Sequence, residues 1–452
     1  SSHFSEMFRF LYIMSLSVVS VSSSLDSLGQ EEDKNGTHSF YTETAEVFFP
    51  ALRAVLEGVD AQAPLLLEER EKVNEATANR MVADSKRGFR LSVGLNGHSL
   101  YENRPNANYY QQYRFLASAY VRKPLYHWGA LRAGSRVAEL SESSSSASFS
   151  DFRRNFADRI RVDYLGLVLS TYAIELTRRS MELAESNLDG MKERMRLGLV
   201  TELSVSEAKI IVLQQRINLA EMKRKLARNT RTFMEESGSS GVLDLSISDD
   251  FRDFAKTHQF GLNLPILASS STSTALEHID TAIETENQRI IIAESGLRPK
   301  LNLIGGFHQD KIDLPDSRSS VDRNNFLIGV EANWALFDAS QSRGEKRAAM
   351  ARKRRYEIQL ERETRLLQLE VRSLREYLVT RAQTIDSSRQ LLGASEDRFE
   401  KSRIEFDRNR ITPDAFFSSR LALDQSLLSL IETVVDYLNV RAQFNRHMEK
   451  TH

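Results

Sequence analysis

Leu197-Gly198-Leu199-Val200-Thr201 stands at the end of one long amphipathic run, and Arg408-Asn409-Arg410-Ile411-Thr412 stands at the end of another, 211 residues later. A second landmark moves by the same interval: Leu125-Tyr126 returns as Leu336-Phe337. From Leu125 to Thr201 is 76 residues, and so is the distance from Leu336 to Thr412. Between the landmarks an apolar residue falls at every seventh position. Ile160, Leu167, Ile174, Met181, Leu188 and Met195 form the first series; Val371, Leu378, Ile385, Leu392, Phe399 and Phe406 form the second, each 211 beyond its counterpart. A flexible linker does not keep count and phase over such a distance. A helix must, because one inserted residue turns everything beyond it by about 100°. The chain is therefore expected to be a tandem duplication built on very long helices.

Outward from the breakers, each copy reads as a helical hairpin. One continuous helix is expected from Gly129 to about Met195 and its partner from Ala339 to about Phe406, each on the order of 100 Å long. The run Ser141 to Ser150 resembles a linker, but its counterpart 211 residues on is RKRRYEIQLE, so helix is the expectation there and a loop the alternative. Gly198 and Asn409 suit the left-handed C′ position, Thr201 and Thr412 an N-cap, and Pro413 the first helical position. Return helices are expected from Glu202 to about Met234 and from Pro413 to about Arg446. Strict seven-residue apolar spacing implies left-handed supercoiling between neighbours.

Before each hairpin the period changes to two. Phe89, Leu91, Val93 and Leu95 alternate with Arg90, Ser92, Gly94 and Asn96. Tyr113, Phe115, Ala117, Ala119 and Val121 then alternate with Arg114, Ser118 and Arg122. In the second copy Leu301, Leu303, Gly305 and Phe307 alternate with Lys300, Asn302 and Gly306, and Phe326, Ile328, Val330, Ala332, Trp334 and Leu336 with Leu327, Gly329, Glu331 and Asn333. These are strands with one apolar and one polar face. Polar turns through Asn103, Pro105, Asn106 and Asn108, and through Asp310, Lys311, Asp313, Pro315 and Asp316, join them in pairs. Runs of about 9 to 12 residues suit a tilted strand crossing a bilayer. Tyr109, Tyr110, Tyr113, Tyr126, Trp128, Phe326, Trp334 and Phe337 near their ends look like interfacial girdles. The alternative is a pair of hairpins packed on a helical core in water.

The organisation expected is an export signal over residues 1–24, a first repeat over 40–235 opening with a helical lead-in to about 87, a Ser-, Gly- and Asp-rich join over 236–273, and a second repeat over 274–447. The signal reading rests on Arg9, the apolar stretch Phe10 to Val21 and small Ser22 to Ser24, with Met7 as an alternative start. Charge is balanced, with 61 basic and 62 acidic residues, which removes the electrostatic reason to expect a nucleic-acid partner. No cysteine is present, excluding disulfides, zinc thiolates and cysteine nucleophiles. Phosphate loops, nucleophile elbows and paired zinc histidines are missing, and the nine histidines stand singly, so neither an enzyme nor a cofactor is expected.

These features together resemble the TolC-like outer-membrane efflux protein family. Arg298-Pro299-Lys300-Leu301-Asn302-Leu303 with Gly305-Gly306-Phe307 is similar to that family's approach to a barrel strand. Pro124-Leu125-Tyr126 with Gly129, and Leu336-Phe337-Asp338, are similar to its strand-to-helix exits. Leu197-Gly198-Leu199-Val200 followed by Glu207-Ala208 is similar to its first hairpin tip. The resemblance covers about residues 50 to 446. It implies a homotrimer in which each mainly helical chain adds four transmembrane β-strands to one twelve-stranded barrel and its coiled-coil hairpins to one periplasmic tunnel. Four strands cannot close a barrel by themselves, and in lipid each unpaired edge group costs several kcal/mol, so copies must close it together.

The resemblance further implies an outer-membrane channel subunit of a tripartite efflux or type I secretion system, a passive conduit meeting a periplasmic adaptor and an inner-membrane pump. On that analogy Gly198, Leu199, Val200, Thr201, Arg410, Ile411 and Thr412 are adaptor-docking candidates; capping and packing are their alternative roles. The family's second tip commonly has glycine where Asn409 stands, and acidic residues where Ala415 and Ser418 stand. Asp414 lies one position early and is the gate candidate, against simple N-terminal helix stabilisation. Arg90, Ser92, Asn96, Arg114, Ser118, Lys300, Asn302, Glu331 and Asn333 are expected to face a wet lumen. The rival reading is a soluble periplasmic coiled-coil adaptor or scaffold.

Overall fold

The computed structural model describes residues 45–102, 110–261, 274–313 and 320–448. The signal expected over 1–24, the turn residues Asn103, Pro105, Asn106, Asn108 and Tyr109, the turn residues Pro315 and Asp316, and residues 262–273 of the join lie outside them. The compact unit over 44–452 opens with a 3-10 turn, Ala45–Val47, and helices α1 (Pro50–Gln62) and α2 (Pro64–Ser85). The lead-in is therefore two helices. Pro64 cannot continue α1, and it starts α2 at a position where its missing N–H costs nothing.

Strands β1 (Arg90–Glu102) and β2 (Tyr110–Tyr126) follow, then the long α3 (Ala130–Arg196) and its return α4 (Glu202–Ser237). A nine-residue helix, α5 (Asp249–Thr257), interrupts the join. The second copy runs α6 (Thr274–Glu294), β3 (Lys300–Asp313), β4 (Ser320–Asn333), α7 (Gln341–Asp407) and α8 (Pro413–Met448). The interval found in the sequence is kept by the backbone. Both long helices have 67 residues and both returns have 36, with every boundary displaced by 211. Ser141 to Ser150 is uninterrupted helix. Among the described residues no helix is long and apolar enough to cross a membrane.

The four strands form one antiparallel sheet in the order β1-β2-β3-β4. The strands are longer than the 9 to 12 residues their alternation marks, reaching 13, 17, 14 and 14. Backbone pairing continues past the point where apolar residues stop, as in Gln309↔Asn324 and Lys311↔Asp322. β4 ends at Asn333, so Trp334 and Leu336, expected within the strand, lie beyond it.

The heptad seam is the core where every helix but α6 converges. Ile160, Leu167, Val371, Leu378, Ile385 and Leu392 are buried there with Leu52 and Val55 of α1, Phe251 of α5, and Leu430, Ile431 and Val434 of α8. Toward the hairpin ends burial fades: Met181, Leu188, Phe399 and Phe406 are half-covered and Met195 is exposed.

Candidate channel wall and hairpin tips

Register settles how the strand faces combine. Leu91 pairs with Val121, Val93 with Ala119 and Leu95 with Ala117. Val121 pairs in turn with Gly305, and Ala119 with Phe307. Gly305 pairs with Ile328, Phe307 with Phe326 and Leu303 with Val330. Directly opposed residues share a face, so a single apolar surface runs across all four strands. It is bare: Ile328 is 86% exposed, Phe326 81% and Val93 68%. In one chain the outer edges of β1 and β4 also lack a partner strand among the described residues.

The opposite face carries the charged and polar residues along the same register, with Leu116, Tyr120, Ile304 and Leu327 among them. Arg114 grips Asp310 with two bonds, Nε to Oδ1 at 2.9 Å and Nη2 to Oδ2 at 2.6 Å. Arg122 reaches Glu331 at 3.2 Å, and His127 shares a 3.0 Å hydrogen bond with Asn302. Ser92, Asn96, Ser118, Lys300 and Asn333 lie on this face with Arg90. All nine residues expected on the wet side thus share one side of the sheet.

Each strand pair turns into its long helix through two successive left-handed residues. In the first copy these are Trp128 and Gly129, at φ 54° and 84°; in the second, Ala339 and Ser340, at 49° and 71°. A left-handed non-glycine residue costs roughly 1–2 kcal/mol, so neighbours must hold the turn. Trp128 Nε1 donates to Pro299 O at 2.8 Å, with Arg298 over the indole at 5.0 Å. Trp334 Nε1 similarly donates to Leu297 O at 2.9 Å. In the second turn the Ser342 N–H donates to Asp338 Oδ2 at 2.8 Å. The hydrogen bonds from Ser342 hold the Asp338 carboxyl below its usual range.

The two hairpin tips are geometrically alike and chemically different. Gly198 has φ 73° and Asn409 φ 55°. The Leu199 N–H reaches back to Arg194 O at 2.9 Å and the Arg410 N–H to Glu405 O at 2.8 Å, which satisfies the last carbonyls of α3 and α7. Thr201 Oγ1 accepts from Ser204 N at 3.4 Å and Thr412 Oγ1 from Ala415 N at 3.3 Å, capping the return helices. Exposed Leu197, Leu199 and Leu203 make the first tip apolar. The equivalent positions of the second tip carry Arg408, Arg410 and Asp414. Val200 and Ile411 are half-buried against their own tips. Asp414 sits in the first turn of α8, half-buried, with no ion pair among the described residues.

One tie between the two copies had no signal in the sequence. Asp424 of α8, 6% exposed, pairs with Arg179 of α3 and lies 3.9 Å from Arg420. The bond to Asp424 raises the Arg179 pKa above its ordinary value. His278 of α6 hydrogen-bonds Ser144 at 3.1 Å and Ser148 at 3.4 Å, which gives the serine run its polar partner. Among the described residues no group of acidic or histidine side chains is arranged to hold a metal ion.

The model of the outer membrane efflux protein family matches residues 55–238. No curated protein sequence matches the chain. Its fold is that of solved outer-membrane channels. The CmeC outer membrane channel of Campylobacter jejuni is 15% identical with a TM-score of 0.68, over 95% of this chain and 93% of that one. VceC, an outer membrane protein of Vibrio cholerae, is 14% identical with a TM-score of 0.67, over 89% and 97%. The open state of the MtrE outer membrane channel of Neisseria gonorrhoeae is 12% identical with a TM-score of 0.65, over 93% and 96%.

Proposed function

We propose that this chain, which matches the outer membrane efflux protein model over 55–238 and shares the fold of a solved outer-membrane channel over 95% of its length, is one third of a homotrimeric exit duct. Three copies unite their sheets into a twelve-stranded barrel in the outer membrane. Their helical hairpins form a periplasmic tunnel beneath it. Solutes pass outward by passive conduction, and the chain carries out no covalent step.

One observation carries this reading: the apolar face that runs across β1 to β4 and is covered by nothing among the described residues. Exposing so large a contiguous apolar surface to water is unfavourable by about 25 cal/mol per Å². Lipid removes that cost and leaves the opposite face for water. Lipid also makes bare edges costly, at several kcal/mol for each unpaired group. Closure with further copies satisfies β1 and β4 together, since each chain's β1 can pair with the next chain's β4.

Within a tripartite efflux or type I secretion assembly, the tips are where an adaptor docks. Leu199, Val200 and Thr201 around Gly198 offer it an apolar seat, and Arg410, Ile411 and Thr412 a basic one. Asp414 is the gate candidate beside the second. Fractionation of cells and crosslinking of the detergent-extracted protein test the reading. The expected result is a trimer in the outer-membrane fraction that conducts ions in a planar bilayer. A monomer that stays in solution without detergent would favour the soluble scaffold instead.

A further inference from the structure

The polar face of the sheet is unevenly charged. At the positions that share it, β1 and β2 supply Arg90, Arg114 and Arg122, and β3 and β4 supply Lys300 and Arg323. Against these five cations stand three carboxylates at positions of the same face: Glu102 at the end of β1, Asp310 and Glu331. Asp310 is engaged with Arg114 and Glu331 with Arg122. Arg90 and Lys300 have no ion-pair partner among the described residues, and Arg323 stands directly opposite Asp310, whose two oxygens Arg114 already holds. Arg90 stands directly opposite Arg122 on the neighbouring strand, a like-charge pairing that costs stability in a sheet. Such an arrangement invites a counter-charge from solution. Lys300 and Asn333, paired at the helix-proximal end of β3 and β4, bring another cation to the same end of the sheet as Arg90. Leu116, Ile304 and Leu327 lie between these charges on the same face, where apolar surface lowers the local dielectric and strengthens their field.

We infer that this wall is an anion-preferring filter, set by Arg90, Lys300 and Arg323, and that the duct favours small solutes bearing carboxylate or phosphate groups. The inference rests on the reading of the chain as an outer-membrane channel. In a trimer the unneutralised cations repeat three times around one lumen, and rings of Arg and Lys are a known means of admitting anions. Arg114 and Arg122 act differently, since each neutralises a carboxylate that would otherwise attract cations.

The test is the reversal potential of the purified full-length trimer in a planar bilayer under a KCl gradient from about 0.01 to 0.1 M, over which the screening length falls from ~30 to ~10 Å. Chloride should permeate more readily than potassium, by about twofold or more. The variant Arg90→Gln/Lys300→Gln/Arg323→Gln leaves both ion pairs intact and should bring the ratio close to unity at similar conductance. Arg90→Lys/Arg323→Lys keeps the charge and should keep the preference, which controls for damage to the wall. A wild-type channel that prefers potassium overturns the inference, as does a neutralised variant with an unchanged reversal potential. Absence of any conductance from correctly folded trimer would instead overturn the channel reading and the filter with it.

Discussion

Gly198 and Asn409 do the same work 211 residues apart: each ends a 67-residue helix in the left-handed region and lets the next N–H reach back to a carbonyl of the last turn. A Cβ added at Gly198 would meet nothing within 4 Å, so only the backbone opposes a side chain there. Gly198→Ala should therefore weaken the tip by about 1 kcal/mol, read as roughly fivefold faster amide exchange around Leu197 to Ser204. Asn409→Gly should leave exchange at the second tip nearly unchanged, because asparagine already tolerates this conformation. Equal protection in wild type and Gly198→Ala would show that the left-handed residue does not set the tip.

The Arg179 and Asp424 pair locks α3 against α8. Removing one partner of a buried pair costs about 3–5 kcal/mol, since the other charge is stranded. Arg179 is about one-third exposed, so Arg179→Leu should cost somewhat less, near ~2 kcal/mol. The position equivalent to Asp424 in the first copy is Leu213, which suggests the compensating change. Arg179→Leu/Asp424→Leu should recover most of the loss in a denaturant titration. If the double variant is as unstable as the sum of the singles, the two residues are not coupled.

Tyr164 is buried in α3 and donates its hydroxyl to Asp244 O. Burial, helped by the nearby Asp244 charge, pushes its pKa up to about 12 from 10.0. The protonated phenol is the form the fold favours. Its contribution is complete below pH 10 and is lost as pH rises through 10 toward 12. Ultraviolet titration should show one tyrosine ionising near 12, absent in Tyr164→Phe, whose stability should depend less on pH in that window. A wild-type profile with all tyrosines ionising near 10 would remove this assignment.

Deleting one residue from Ser141 to Ser150 should abolish trimer assembly. Every residue on one side of the deletion turns by about 100° relative to the other. His278 would lose register with Ser144 and Ser148, and the seam from Ile160 onward would no longer face the core. Gel filtration in detergent checks this; normal trimers would mean that the phase of α3 is not transmitted through the serine run.

How much of this architecture is legible in the sequence depends on what each feature answers to. The long helices are legible to within a residue or two because seam and residue count are kept twice. The tip caps are also legible, since Gly198, Thr201 and Thr412 are residues whose chemistry fits few other roles. Strand ends are not. Past Phe307 the ladder continues through Gln309 and Lys311 on backbone bonds alone, and hydropathy no longer marks it. Helix α5 hides in a polar stretch, although Ser248 capping Phe251 and the spacing of Phe251, Phe254 and Ala255 are its signature. The Arg179 and Asp424 tie joins residues 245 positions apart, and neither neighbourhood announces the other. Alternation alone puts Arg90, Arg114, Lys300 and Glu331 on one side of the wall; the strand register was needed to add Asp310 and Arg323 to it and to show the ion pairs.

The equal lengths of the paired helices make span a joint property of the two halves. Each residue added to α3 alone would carry the first tip about 1.5 Å past the second and spoil any rim on which both must rest. Insertions and deletions here should survive only in matched pairs. A lineage that lengthens or shortens these hairpins must edit its gene twice, at sites 211 codons apart, and by the same amount.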